Sequence, residues 1–275
     1  MKSAILSLVV ALFVLGQTDA AVIVWQDEGA RTIFRANSDG TDVVDIISME
    51  YGGTGLAVDF THEKVYWTNA TEGHFIQRAD LDGSNIEDLV TTGLGTPEGI
   101  ALDVAGGKMY WADQGPAKIS RANLDGTDLE VLATLHPTPG SPSPRGLAVD
   151  GINGKIYWCS QGYGTIQRAD LDGSNIEDLV TIAGWNGPDG IALDIEAGKM
   201  YWTGLNEILK IQRANLDGSD VEDLVTTGLV IPRGIDVGTV VPEPSILTLL
   251  AVGAVGLLSC VRRKRTILES ARSDS

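Results

Sequence analysis

Residues 76–91 read IQRADLDGSNIEDLVT, and residues 166–181 repeat the same sixteen letters. A third copy at 211–226 differs at three positions, and weaker copies start at Ile33 and Ile119. The copies align on the glycine of a DG pair: Gly40, Gly83, Gly126, Gly173 and Gly218. A second signature follows each copy: GLAVD from Gly55, GIALD from Gly99, GLAVD from Gly146, GIALD from Gly190 and a shortened GID at Gly234. A third comes next, as VYW ending at Trp67, MYW at Trp111, IYW at Trp158 and MYW at Trp202, with IVW ending at Trp25 as the N-terminal partner.

Each unit holds four short runs. In one unit these are Gly99–Asp103, Lys108–Ala112, Lys118–Asn123 and Asp128–Ala133. Their lengths suit strands and not helices. AGGK-type and LDG[ST]-type turn signals separate them, and a glycine accepts the positive φ of a tight turn. Four antiparallel strands at a period of about 40–45 residues is a propeller blade. The prediction is an all-β chain with a single β-propeller of five four-stranded blades; a six-bladed or incomplete ring is the alternative.

The chain enters the repeats at Val22–Trp25, a second strand with no first. It leaves them at Pro232–Asp236, a first strand with no second, which Val237–Val240 extends. Pairing the two leftovers closes the ring. Five of the six tryptophans share one repeat position and read as core between blades. Arg35, Arg78, Arg121, Arg168 and Arg213 recur once per blade, as do Asp59, Asp103, Asp150, Asp194 and Asp236. One per blade means scaffold, and Arg–Asp bonding within or between blades is the expected arrangement.

The YW strand, the GLAVD strand and the I-x-R-A-[ND]-L-D-G hairpin, over residues 21–240, resemble the YWTD propeller of low-density-lipoprotein-receptor class B type. The resemblance implies a fold and a habit of binding other molecules. Such propellers have six blades and this chain counts five. The aspartate of YWTD survives at Asp27 and Asp113; Asn69, Ser160 and Gly204 replace it elsewhere.

Residues 1–20 read as a secretory signal helix, with one lysine, an apolar run and Thr18-Asp19-Ala20 before cleavage. Residues 241–265 read VPEPSILTLLAVGAVGLLSCVRRKR. Ile246–Val261 is uncharged and forms the predicted membrane helix, held by Arg262–Arg265. Pro242, Glu243 and Pro244 with this helix and basic cluster resemble the bacterial PEP-CTERM sorting signal. That resemblance implies export, transient residence in the inner membrane, processing by an exosortase-type enzyme, and a final place at the cell surface or in an extracellular matrix. A polar tail, 266–275, follows.

The chain carries 37 acidic and 20 basic residues, a net of −17. An acidic body argues against nucleic acid as a partner and favours cations or a basic partner. Cys159 and Cys260 are the two cysteines, one in a YW strand and one in the anchor, so no disulfide is expected within the propeller.

Divergent positions of the repeat are the ones free for function. Thr54, Glu98, Arg145, Asp189 and Arg233 stand just before the inner strands and ring the channel mouth, as interblade salt bridges or as a ligand rim. Tyr163, Trp185 and Asn186 lie on nearby loops, and Trp185 is the tryptophan outside the repeat frame. The insertion His136–Pro144 projects from the same side. Asp80, Asp82 and Asp88 invite a calcium reading, but the spacing is not an EF-hand's and a plain acidic turn is preferred. No cofactor is therefore expected. His62, His74 and His136 form no constellation, and no catalytic motif appears. The expected function is a non-catalytic, exported protein- or polysaccharide-binding module. A lactonase-like hydrolase with a divalent metal in the channel is the alternative, and a structural matrix protein the second.

Overall fold

The structure is a computed structural model. It describes residues 22–27, 30–37, 41–50, 53–71, 73–135, 143–182, 187–204, 209–228 and Ile235. Those residues form nineteen strands and no helix. The first sheet holds β1 (Val22–Asp27), β2 (Thr32–Asn37) and β3 (Val44–Ser48). The second holds β4 (Gly53–Asp59), β5 (Lys64–Asn69), β6 (Phe75–Asp80) and β7 (Glu87–Val90); the third β8 (Pro97–Asp103), β9 (Lys108–Asp113), β10 (Lys118–Asn123) and β11 (Glu130–Thr134). The fourth holds β12 (Pro144–Asp150), β13 (Lys155–Ser160), β14 (Thr165–Asp170) and β15 (Glu177–Thr181); the fifth β16 (Pro188–Asp194), β17 (Lys199–Gly204), β18 (Lys210–Asn215) and β19 (Glu222–Val225). Every pairing is antiparallel between sequence neighbours, the topology of a five-bladed propeller. The expected closing strand 232–240 and both terminal helices lie outside the described residues, except that Ile235 lines the central cavity beside the inner strands.

The YW dipeptide explains why blades stack. Successive side chains of a strand leave opposite faces. Tyr66 packs with Trp111 of the next blade, and Tyr110 with Trp158 of the next. Four buried cores follow, one at each interface between successive blades. Trp67, Trp111, Trp158 and Trp202 are wholly buried, as expected of them, whereas the fifth, Trp25, is only partly buried and stacks on Phe34 of its own sheet with ring centroids 5.3 Å apart.

Glycines stand at the close approaches between blades. A Cβ on Gly99 would stand 2.6 Å from the Arg145 carbonyl oxygen, and one on Gly146 would stand 2.4 Å from that of Asp189. Inner strands can thus touch only where a side chain is missing. At the far end of the blades, Gly126 (φ +84°) lies against the Leu89 carbonyl of the preceding blade.

The expected Arg–Asp pairing is corrected. Arg78, Arg121, Arg168 and Arg213 pair with Glu87, Glu130, Glu177 and Glu222 on the outer strand of their own blade. Arg78, Arg121 and Arg168 also donate to the Leu124, Leu171 and Leu216 carbonyls in the next blade's DG turn, at 3.0, 2.8 and 2.9 Å. The recurrent aspartates instead cap their own turns: Asp59 accepts from Thr61 and His62 amides, Asp103 from Gly106, Asp150 from Asn153 and Asp194 from Ala197. Short carboxylates at a turn's start are well placed to take its amides.

Candidate functional site

Each inner strand begins with an irregularity in register, between Gly53 and Gly55, Pro97 and Ile100, Pro144 and Leu147, and Pro188 and Ile191. Such bulges re-aim side chains. Here they bring Thr54, Glu98, Arg145 and Asp189 to one end of a cavity of about 410 Å³. Deeper in, alanine, leucine, isoleucine and valine of the inner strands make the wall.

Arg145 organises the mouth. Its Nη1 lies 3.1 Å from Glu98 Oε1, and its Nε lies 3.9 Å from Asp189 Oδ1 and donates to Gln161 Oε1 at 3.1 Å. The Gln114 amide satisfies its neighbours with its nitrogen toward Glu98 Oε1 (3.2 Å) and its oxygen toward Arg145 Nη2 (3.2 Å) and Ser143 Oγ (2.6 Å). Thr54 takes another role: its hydroxyl donates to the Pro97 carbonyl at 2.7 Å, joining the first two inner strands of this cluster. Beneath Asp189, burial and that carboxylate push the Cys159 thiol well up, so it stays protonated and inert.

Glu98, Arg145 and Asp189 therefore converge as sequence phase suggests. Tyr163 sits in the β13–β14 turn, its amide donating to the Ser160 carbonyl at 3.2 Å, and does not line the cavity. Trp185, Asn186 and Arg233 lie outside the described residues. Sequence reasoning missed Gln114 and Gln161, while Ser143 belongs to the insertion His136–Pro144 already placed on this side. The signal was available: Gln-Gly follows the YW strand in both adjacent blades, at 114–115 and 161–162.

The hairpin carboxylates do not converge. Asp80 is held by Lys64 and by Asn85 (2.6 Å), Asp82 by Ser84 (2.6 Å) and Asp88 by Gln77 (2.6 Å). Among the described residues no group of three or more histidine, cysteine, aspartate or glutamate side chains is placed to hold a metal ion. At the mouth the two carboxylates share a guanidinium, and a divalent cation there would first have to displace it.

Residues 67–183 match the family described as SMP-30/Gluconolactonase/LRE-like region. Residues 240–264 match the PEP-CTERM protein-sorting motif. The second match is to a sorting motif, and the propeller's repeats are similar to segments of the relatives that follow. It is 36% identical over 109 residues to low-density lipoprotein receptor-related protein 1 of Pyricularia oryzae, covering 36% of this chain and 35% of that one. It is 44% identical over 79 residues to nidogen-2 of Mus musculus, covering 28% and 6%. Protein cueball of Drosophila yakuba is 33% identical over 116 residues, covering 39% and 18%. The chain thus spans about a third or less of the length of these relatives. Among solved structures, a nidogen/laminin complex superposes with a TM-score of 0.69 at 25% identity, over 79% of this chain and 81% of that one. Virginiamycin B lyase from Staphylococcus aureus gives 0.62 at 17%, over 79% and 71%, a likeness of fold. The PEP-CTERM match indicates an exported protein with a membrane-anchoring sorting signal processed by an exosortase.

Proposed function

We propose that this chain is a non-catalytic, exported protein-binding propeller, released by its leader at 1–20, held at 241–265 and displayed at the cell surface or in an extracellular matrix. The observation that carries it is Arg145. A guanidinium bridging Glu98 and Asp189 occupies the place where a channel metal would need those same carboxylates. Likeness to a chain of a nidogen/laminin complex adds support from a protein crystallised with a protein partner. A polysaccharide would be the alternative ligand on the same variable face.

The second reading is a lactonase-like hydrolase, favoured by the match of residues 67–183 to a family whose description includes gluconolactonase. One experiment separates the two. The full chain is dialysed against Ca²⁺, Mn²⁺ and Zn²⁺, analysed for metal, and assayed on gluconolactone. The module reading expects substoichiometric metal and no turnover above buffer. One tightly held divalent ion per chain with metal-dependent lactone hydrolysis would overturn it.

A further inference from the structure

Between blades 1 and 2 the outer wall of the ring opens into a groove of about 270 Å³. Its apolar floor is Ile47, Met49, Trp67 and Phe75, and Glu50 and Asp88 stand among its polar lining residues. Two sequence departures fall on its lining, at Asn69 and Phe75. In blade 3 the YWTD aspartate, Asp113, accepts the Gly95 and Thr96 amides (2.8 and 2.5 Å), drawing the incoming interblade segment onto the blade. In blade 2 that residue is Asn69, whose side-chain oxygen accepts from Thr71 of its own loop (2.9 Å from the amide, 2.8 Å from the hydroxyl).

Blade 2 also departs at a second position. The first residue of the third strand is lysine in blades 3 and 5 (Lys118, Lys210) and threonine in blades 1 and 4 (Thr32, Thr165); in blade 2 it is Phe75. Lys210 pairs with Asp223 at 2.6 Å. The counterpart of Asp223 in blade 2 is Asp88, whose partner among the described residues is the neutral Gln77. An aromatic ring thus stands where blades 3 and 5 place a cation, and the described lining of the groove includes Asp88 and Glu50 but no lysine or arginine.

Resting on the protein-binding reading above, we propose that this groove accepts a lysine or arginine side chain from a basic segment of a partner protein. The ring face and the Met49 thioether would pack on the aliphatic stem and the cation, and Asp88 and Glu50 would supply the counter-charge. The net charge of −17 draws such a partner in.

The probe is a fluorescein-labelled dodecapeptide alternating lysine and glycine, beside its lysine-acetylated form, read by anisotropy with the full chain at an ionic strength of about 0.15 M. Acetylation keeps the length and removes the charge. Phe75→Lys restores the residue of blades 3 and 5, which those blades fold around, and is expected to weaken binding about tenfold. Asp88→Asn should weaken it by about threefold or more, whereas Glu196→Gln, the same charge change on the exposed β16–β17 turn, should move it less than about twofold. Equal losses in Asp88→Asn and Glu196→Gln would overturn the groove in favour of diffuse attraction. Phe75-dependent binding of a neutral β-glucan oligosaccharide, with none of the peptide, would overturn it in favour of a glycan. Peptide binding lost in Arg145→Ala but kept in Phe75→Lys would overturn the groove while leaving the module reading intact. Lactone turnover would sink the module reading and leave the groove to stand or fall on Phe75→Lys.

Discussion

The two ends of the blades obey different rules. At the DG end, three successive arginines make the same bond to the next blade, and the hairpins share one set of side-chain hydrogen bonds. At the channel mouth, the same repeat position supplies a threonine that bonds a backbone carbonyl and an arginine set between a glutamate and an aspartate. Uniformity marks what every interface needs in order to form. Variety marks positions released from that duty, which is where recognition can be built.

The sharpest way to break this contrast is at the points where inner strands touch. Gly146→Ala would drive a Cβ to 2.4 Å from the Asp189 carbonyl, against backbone that cannot yield. A loss of about 3 kcal/mol in chemical denaturation is expected. Gly107→Ala, with φ +68° but open space around it, should lose only about 1 kcal/mol. Next comes the uniform end. Arg121→Ala removes both the Glu130 pair and the bond to the Leu171 carbonyl, and should cost about 2 kcal/mol by the same measurement.

A third change sharpens the comparison from within the repeat. Gln167 and Gln212 accept the Trp158 and Trp202 indole N–H at 2.9 and 3.1 Å, but blade 3 has Ser120 there and Trp111 Nε1 is buried without an acceptor. Ser120→Gln should stabilise the chain by about 1 kcal/mol, seen as a raised unfolding midpoint.

The smallest effect belongs to the hairpin carboxylates. Hydrogen bonds from Lys64 and Lys155 lead in holding Asp80 and Asp170 below the usual carboxylate range, and Ser84 and Ser174 do so for Asp82 and Asp172. Folded values below the unfolded ones mean stability that is complete above about pH 4 and drains as pH falls through the lower folded values. Thermal melts from pH 7 to pH 3 should show that fall, weakened by added salt because these groups are exposed.

Much of the fold was legible because a blade's strands are local. The third strands coincide with the predicted runs, and Lys118–Asn123 was bounded to the residue. The inner strands run two residues further back, to Pro97 in blade 3, because a bulge hides the start of pairing from the apolar pattern. The convergence of Glu98, Arg145 and Asp189 was legible through repeat phase. Arginine's partners were not: Glu130 lies on the next strand and Leu171 fifty residues on, and a carbonyl leaves no mark in side-chain identity.

The letters alone carried the strand order, the period of the blades and the division between repeated and released positions, since periodic chemistry states these directly. Only the folded ring decided that Arg145 would stand between two acids, that Gln114 and Gln161 would brace it, and that Asn69 and Phe75 would line one groove. Those outcomes depend on angles and gaps between blades, and such spacing arises when sheets pack against one another rather than along any one strand.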